Sequence, residues 1–530
     1  QKEREEVEKA KAYMAEGDNR TAEVKLPKTY KDRIKHLVNR AEEILFDIWS
    51  PVRRLQEEAK NKIGEIPDSL NLYQKLELVS GKIEEHVKSA KSKYLDDVKD
   101  ILIKNGIEVK KFNRFLYVSH AEERNKAIDK LEGSPFKRLG RPGSGISTEQ
   151  ARKELEEFAA LPNYAAYKEA AEITYKLNNF LLDEQVRLGL LTQEQREHYR
   201  KYKKYTPLKS PPDQGLILDR RALGRRSQAS EQLAFIEQSI YAVYNRGFKK
   251  DISSTAIKLF KAFPNEALYE RVKPKKVQYI NKKGKVTVRQ EMEKFFGSPE
   301  MLWAKDPATG DYVVYKIKDK SLRKALVNNF KEDTIETNFF RFFKRVNNWL
   351  AATATAWNPE FIYTNLIRDV QQGAAGVGVM LPEGSTVKFL SNLRRARQVI
   401  TDDKAGKNTE DTILLKEYKL AGGKTGYSEF SRLEERASNL EREVSQAIKG
   451  GKLHNVRQSL KKAFDFISEW NDAIETRTRF AGYLTAKEAG FSTQKAAAFA
   501  KNMTVNFNKK GSWAPILNSL YLFSSANLGG

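Results

Sequence analysis

The chain has 530 residues, of which 40 % are hydrophobic and 31 % charged, and its formal net charge is +25 at pH 7. This composition excludes a disordered chain, allows about two to four domains and favours a polyanionic partner such as nucleic acid, anionic lipid or an acidic protein. Because the sequence contains no cysteine, a disulfide framework, a zinc–thiolate site and a cysteine nucleophile are excluded.

The first 135 residues have the pattern of long amphipathic helices. Apolar residues recur at helical spacing over 30–62, and Pro51 within this segment predicts a kink or an end of the helix. A second long helix is predicted over 70–105, with Gly106 as its stop. A shorter helix is predicted over 112–131.

A loop and three further helices are predicted before residue 263. Residues 133–145 contain four glycines and two prolines, which predicts a loop or domain junction. Ser147 and Thr192 are each followed by glutamine three residues later, the pattern of a capping box at a helix start. Residues 209–226 are predicted to be irregular, and 230–263 to be helical.

The period of the pattern then changes. Residues 275–290 and 301–319 alternate around turn residues and are predicted to be β-hairpins. Helical patterns return after Ser321, and a regular apolar stripe between 460 and 490 predicts a last helix that stops at Gly490. The predicted fold is mainly α, an elongated multi-helix bundle with a small β-hairpin insertion at about 275–319.

Three regions follow from these patterns. They are an N-terminal helical region (1–135), a central basic helical domain with β-hairpins (146–335) and a C-terminal helical domain (336–530). The chain starts at Gln1 without an initiator methionine and ends in an uncharged run. We therefore expect a processed product or a part of a larger polypeptide.

The sequence offers little catalytic chemistry. His120-Ala-Glu-Glu would bind a metal only with distant help, and its simpler interpretation is a helix start with ordinary surface carboxylates. Gly422-Gly423-Lys424-Thr425 resembles the end of a phosphate-binding loop, but Tyr418 stands where that loop needs glycine, so a flexible turn is favoured. Paired carboxylates such as Glu122 and Glu123 are interpreted as solvated. We expect no catalytic residue, no metal and no cofactor.

Basic residues form three groups that suit non-specific contact with phosphates. Interleaved tyrosines near the first group could stack on exposed bases. The alternative is a solvated charged surface. The candidate polyanion contacts are Lys201, Lys203, Lys204, Arg220, Arg221, Arg225, Arg226, Lys273, Lys275, Lys276, Lys282, Lys283, Lys285, Arg394, Arg395 and Arg397.

The uncharged segment 511–530 is too short and mixed for a membrane-spanning helix. Its apolar residues share one face of a helix, which suits burial against a partner subunit or contact with a membrane surface. The candidate subunit or membrane contacts are Trp513, Ile516, Leu517, Leu520, Tyr521 and Phe523.

Three segments carry a resemblance to a known family. Residues 358–370 read NPEFIYTNLIRDV, residues 476–500 read TRTRFAGYLTAKEAGFSTQKAAAFA, and residues 117–125 read YVSHAEERN. Together they resemble the large polyvalent protein-associated domain of phage proteins, over roughly 110–530 and most closely over 300–530. The residues that carry the motif are Asn358, Pro359, Phe361, Asn365, Arg368, Asp369, Arg477 and Gly482.

This resemblance sets the functional expectation, because proteins of this kind are packed inside virions and expelled with the genome. It implies a non-enzymatic DNA-ejection protein that forms a homo-oligomeric conduit or collar with other phage ejection, portal or tail proteins. The expected partner is double-stranded DNA, contacted non-specifically, and host envelope membrane. The expected location is the virion interior and then the host cell envelope (periplasm or inner membrane).

Two alternatives remain open at this point. The chain could be a non-catalytic module of a larger phage polyprotein that carries an enzyme or antirestriction activity, or a portal or tail protein that stays in the particle. No catalytic residue is implied by the resemblance. Asn365, Arg368 and Asp369 lie within about one predicted helical turn, and we interpret them as a structural polar network.

Overall fold

The computed structural model describes residues 39, 43, 47–130, 140–205, 231–280, 286–296, 298–306, 309–326, 359–424, 442–448 and 476–503. The predicted fold class is confirmed, since the described chain is mainly helical with a small antiparallel β insertion. Among these residues, no helix combines the length and apolar character needed to cross a membrane.

Chain contacts group the protein into two compact units. Unit 1 contains the described residues of Gln1–Gly81, Ile252–Gly426 and Phe464–Gly530, and unit 2 contains those of Lys82–Asp251 and Tyr427–Ala463. The three regions expected from the sequence stay a prediction.

The first helices match the predicted pattern. Residues 47–49 are not helical and α1 is Ser50–Ile63, so the pattern over 30–62 is interrupted next to Pro51, as predicted. Pro51 itself lies in the first turn of α1, where a missing N–H costs nothing. Helix α2 (Leu72–Ala90) continues through a π-turn at Lys91–Leu95 into α3 (Asp96–Lys104). Gly106 ends this run with φ 63°, as predicted.

The central helices begin at the predicted caps. Helix α4 is Val109–Asp129, α5 is Thr148–Ala159, α6 is Tyr164–Arg187, α7 is Gln193–Arg200 and α8 is Gln232–Ala262. The Ser147 hydroxyl accepts the N–H of Gln150, and Thr192 and Gln195 form a reciprocal capping box. The predicted loop is present over its described part, 140–147, and 209–226 lie outside the described residues.

Both predicted hairpins are present, and the insertion contains one strand more. The strands are β1 (Tyr269–Val272), β2 (Lys276–Ile280), β3 (Val286–Gln290), β4 (Met301–Lys305) and β5 (Tyr312–Ile317). Strands β2 and β3 form a two-stranded ribbon, while β1, β5 and β4 form an antiparallel sheet in that order. Strand β1 is only four residues long, too short for alternation to be recognised in the sequence.

Helix α9 is Lys320–Leu326. The helices that follow share one hydrophobic core of unit 1, and they are α10 (Pro359–Met380), α11 (Ser385–Lys404), α12 (Glu410–Leu420), residues 476–488 and α13 (Thr493–Asn502). Phe389, Tyr418, Phe480 and Phe499 are buried in this core. Gly490 ends the preceding helix with φ 87°, as predicted.

Candidate nucleic-acid interface

The first basic group follows helix α7 in unit 2. Lys201, Lys203 and Lys204 are exposed. Within the described part of unit 2, none of the three side chains takes part in an ion pair. The four arginines of this group, at 220, 221, 225 and 226, lie outside the described residues.

A carboxylate on α4 holds the main chain of this basic segment. Glu123 accepts the backbone N–H of Lys203 at 2.8 Å and that of Lys204 at 3.2 Å. The same carboxylate lies 3.3 Å from Nδ1 of His120, and the His120 ring meets Tyr205 edge-on with centroids 5.6 Å apart. The backbone of the segment is thereby fixed, and the two lysine side chains stay exposed.

This geometry corrects the interpretation of His120 and Glu123. His120 lies in the middle of α4, not at a helix start, and its side chain is buried. Burial lowers the pKa of His120, and the Glu123 hydrogen bond opposes this shift only in part. Burial alone raises the pKa of Glu123, but the hydrogen bonds from His120 and from the Lys203 and Lys204 amides outweigh it and hold that pKa below its usual value. Glu123 is therefore a structural anion, not a solvated one.

Other residues of the YVSHAEERN segment form hydrogen bonds with a second loop, the one that contains Ser144 and Ile146. The Asn125 side chain donates to the carbonyl of Ile146 at 3.1 Å and accepts the N–H of Ser144 at 2.8 Å. The hydroxyl of Tyr117 donates to the carbonyl of Ser144 at 2.9 Å. The sequence motif is thus a fastening segment for two loops of unit 2, a role that its letters alone did not indicate.

The second basic group lies in the β insertion of unit 1. Lys273, Lys275 and Lys276 are exposed, and Nζ of Lys276 lies 2.7 Å from Asp311. Lys282, Lys283 and Lys285 fall outside the described residues. Lys273 and Lys275 have no ion pair among the residues that the structure describes.

The third group lies on α11, and its members differ. Arg394 and Arg397 are exposed. Arg395 donates to Asp411 at 3.0 Å and to Glu488 at 3.0 Å, and the hydrogen bond to Asp411 followed by that carboxylate's charge raises the pKa of Arg395. Arg395 therefore links three helices of unit 1 and is less available to a polyanion than its two neighbours.

The NPEFIYTNLIRDV segment is helical from Pro359 onward. Pro359 is the first described residue of α10. The motif positions 361, 365, 368 and 369 follow on the same helix, so the predicted placement of Asn365, Arg368 and Asp369 within about one turn is confirmed for the backbone. Asn358 lies outside the described residues, as do the candidate contacts between 513 and 523.

Arg477 and Gly482 have packing roles. Arg477 donates from Nε to the carbonyl of Leu393 at 3.0 Å. A Cβ at Gly482 would overlap the sulfur atom of Met503, so the Met503 side chain would have to move to admit any other residue at this point of the helix at 476–488. Both residues hold helices of unit 1 together.

The Gly422 turn is buried and firmly held. The ammonium of Lys501, with no exposed surface, donates to the carbonyl of Gly422 at 3.2 Å and to that of Glu77 at 2.9 Å. The Tyr418 hydroxyl donates to the carbonyl of Gly423 at 3.0 Å. The prediction of a turn is confirmed, but its flexibility was wrong, because two buried side chains, nearby Tyr418 and distant Lys501, hold the two carbonyls.

The described residues contain no group of three or more His, Asp or Glu side chains placed to hold a metal ion. Comparisons of the chain with protein-family models, with curated proteins and with solved structures found no match.

Proposed function

We propose that this protein is a non-catalytic component of a phage DNA-ejection apparatus. It is carried in the virion, associates with copies of itself into a conduit or collar, and passes into the host cell envelope with the genome. Double-stranded DNA is its polyanionic partner, and contact is made without reading the base sequence. The motif resemblance supports the phage assignment, and the net charge of +25 supports the choice of partner.

One observation carries the DNA contact. Glu123 accepts hydrogen bonds from the backbone N–H groups of Lys203 and Lys204. The exposed ammonium groups of these two lysines have no carboxylate partner among the described residues. Positive charge at an accessible position is all that a phosphate contact needs, and such contacts carry no sequence information. A passing duplex is therefore held weakly and without register.

The DNA contact is tested with the purified full-length chain and duplexes of unrelated sequence. We expect equal affinity for all of them, and a linear fall of log K with log salt concentration, because binding releases condensed counterions. Affinity that depends on sequence, or that does not change with salt, would overturn the proposal.

A pair of double variants locates the contact. Lys203→Gln with Lys204→Gln removes two exposed charges, and we expect the salt slope to fall by roughly two. The matched control, Lys126→Gln with Arg152→Gln, removes the same net charge from two cations that both bind Glu122. We expect a clearly smaller change for the control, and equal changes would show that only net charge matters.

Assembly and ejection need separate tests. Sedimentation of the purified chain over a range of concentrations is expected to show a defined oligomer, and a strict monomer would exclude a conduit. The protein content of virions before and after ejection is expected to fall for this chain. Retention in the emptied particle would assign it instead to the portal or tail.

A further inference from the structure

An aromatic cluster lies on the outer face of the three-stranded sheet. Trp303 on β4, Tyr312 on β5 and Phe296 in the preceding turn form what we term the aromatic triad. The ring centroids are 4.9 Å apart for Phe296 and Trp303, and 5.8 Å apart for the other two pairs. Phe296 is 46 % exposed and Trp303 is 38 % exposed, so each ring offers an accessible surface.

The core of unit 1 does not account for these rings. Along β4, Leu302 and Ala304 are buried and Trp303 between them is exposed, the alternation of a sheet with one covered face. Leu302 pairs with Tyr315 on β5, and the Tyr315 ring contacts Phe260 of α8 with centroids 5.3 Å apart. The triad occupies the opposite face, together with the buried Val314, which is the ladder partner of Trp303.

Exposed lysines border the triad. Lys305 follows Trp303 by two residues on the same face of β4 and pairs with Tyr312 in the ladder. Lys294 precedes Phe296 by two residues. Neither lysine has an ion pair among the described residues, whereas Asp311 is already bound by Lys276. Glu293 is the exposed acid beside Lys294, and lysines and arginines outnumber acids between 269 and 319.

The basic β2–β3 ribbon is attached beside the triad. The Gln290 side chain donates to the carbonyl of Tyr312 at 3.0 Å and accepts the N–H of the same residue. Lys276, the ladder partner of Gln290, contacts Asp311 next to Tyr312. The ribbon that carries Lys275 and Lys276 is therefore fixed at this end of the sheet.

We propose that the triad and its lysines bind a single-stranded polynucleotide. Unpaired bases stack on the exposed faces of Trp303 and Phe296, and Lys305 and Lys294 contact the phosphates between them. Every base has a π-face, so this mode tolerates any sequence. The inference goes beyond the proposed function, because the bases of duplex DNA are stacked on one another and leave no free face for an aromatic side chain.

The test uses the full-length chain and labelled thymidine oligonucleotides of about ten nucleotides, a length within the usual site size. An abasic oligonucleotide of the same length carries the same phosphates without bases. We expect the abasic strand to bind about tenfold or more weakly, because base–aromatic stacking is lost. Equal affinity for the two strands would overturn the inference.

Variants then assign the effect to the triad. Trp303→Leu is expected to weaken binding of the thymidine strand about tenfold and to change binding of duplex DNA by less than about twofold. Val288→Ala, which trims another exposed apolar side chain of the insertion, is the matched control and is expected to change neither. Unchanged urea unfolding of both variants shows that the fold is intact. If Trp303→Leu does not fold, the same binding measurements are made with Phe296→Leu.

The remaining outcomes separate this inference from the proposed function. Loss of self-association in Trp303→Leu, with thymidine-strand binding intact, would show that a second copy covers the triad and would overturn the inference. Duplex binding without a difference between thymidine and abasic strands leaves the proposed function standing and refutes only the inference. Binding of the thymidine strand by a chain that does not bind duplex DNA would support the inference and refute the proposed duplex contact.

Discussion

The helical core and the β insertion of unit 1 contain cations in contrasting settings. In the helical core, Lys501 is fully buried against carbonyl groups and Arg395 is shared by two carboxylates. In the β insertion, Lys273, Lys275 and Lys305 are exposed and have no ion pair among the described residues. The net charge of +25 therefore overstates the charge available to a partner, because some of the cations hold helices together.

The largest effect is expected from removing the buried ammonium. Lys501→Met deletes charge-assisted hydrogen bonds to the carbonyls of Glu77 and Gly422, and we expect a loss of about 2–4 kcal/mol in the free energy of unfolding. Lys495→Met on the same helix is the matched control, since that lysine is exposed and lies over the Phe491 ring. Its loss should be below about 1 kcal/mol. Urea unfolding followed by circular dichroism measures both, and equal losses would erase the distinction between buried and exposed cations.

The Gly422 carbonyl, which accepts from Lys501, also helps to exclude a side chain at Gly81. A Cβ there would lie 2.6 Å from the carbonyl oxygen of Gly422 and 2.5 Å from that of Lys424. We expect Gly81→Ala to destabilise by about 1–3 kcal/mol through overpacking, although alanine favours a helix. Gly376→Ala on α10, where a Cβ meets nothing within 4 Å, should be neutral or stabilising. If both variants are stabilised, the turn at Gly422 must move to accommodate the added side chain at Gly81.

A third test concerns His120 in unit 2, whose protonation at low pH would create a buried cation. Because the folded-state pKa of His120 is lowered by burial, its neutral form favours folding. The stability contributed by the neutral His120 ring is fully present above the pKa of about 6.5 that histidine has in the unfolded chain. This stability is lost as the pH falls below that value towards the lower pKa of the folded state. The facing groups are Glu123, which opposes this shift, and Arg124, which adds to it.

We expect His120→Gln to flatten the fall in stability between about pH 7.5 and 5.5, the interval around that unfolded pKa. His198→Gln, at an exposed ring, is the control and should leave the profile unchanged. Urea unfolding at several pH values reports the difference. An unchanged profile in His120→Gln would mean that the buried ring does not resist protonation.

The smallest effect on stability is expected for exposed cations. Lys273→Gln with Lys275→Gln should change the free energy of unfolding by less than about 0.5 kcal/mol, as usual for surface positions. The same double variant should lower the salt slope of duplex binding by up to about two. Isothermal binding curves at several salt concentrations test this. A loss of stability without a change in binding would place these lysines with the structural cations.

Local patterns were enough to predict the elements. The caps at Ser147 and Thr192, the stops at Gly106 and Gly490 and both hairpins depend on neighbouring residues, and all are confirmed. Strand β1 was missed because its partner, β5, lies more than forty residues away.

Side-chain partners could not be predicted in the same way. Glu123 looked like any carboxylate on a charged helix, but its hydrogen bonds reach residues 80 and 81 positions along the chain. The acceptors of the buried Lys501 lie 79 and 424 positions away. Such contacts depend on the packing of distant segments, which one sequence does not encode in any local spacing. The aromatic triad likewise joins residues from a turn and two strands.

The π-turn at Lys91–Leu95 is a position where this chain could lose one residue without disturbing the helix beyond it. Ala90 and Leu95, buried at the two ends of the turn, are five residues apart, one more than a regular helix places on the same side. Deleting one residue between them would leave a spacing of four and restore ordinary helical winding without turning the downstream segment over. Elsewhere in a long helix, the same deletion would rotate everything beyond it by about 100°. Shorter natural variants of this chain should therefore have lost their residue here.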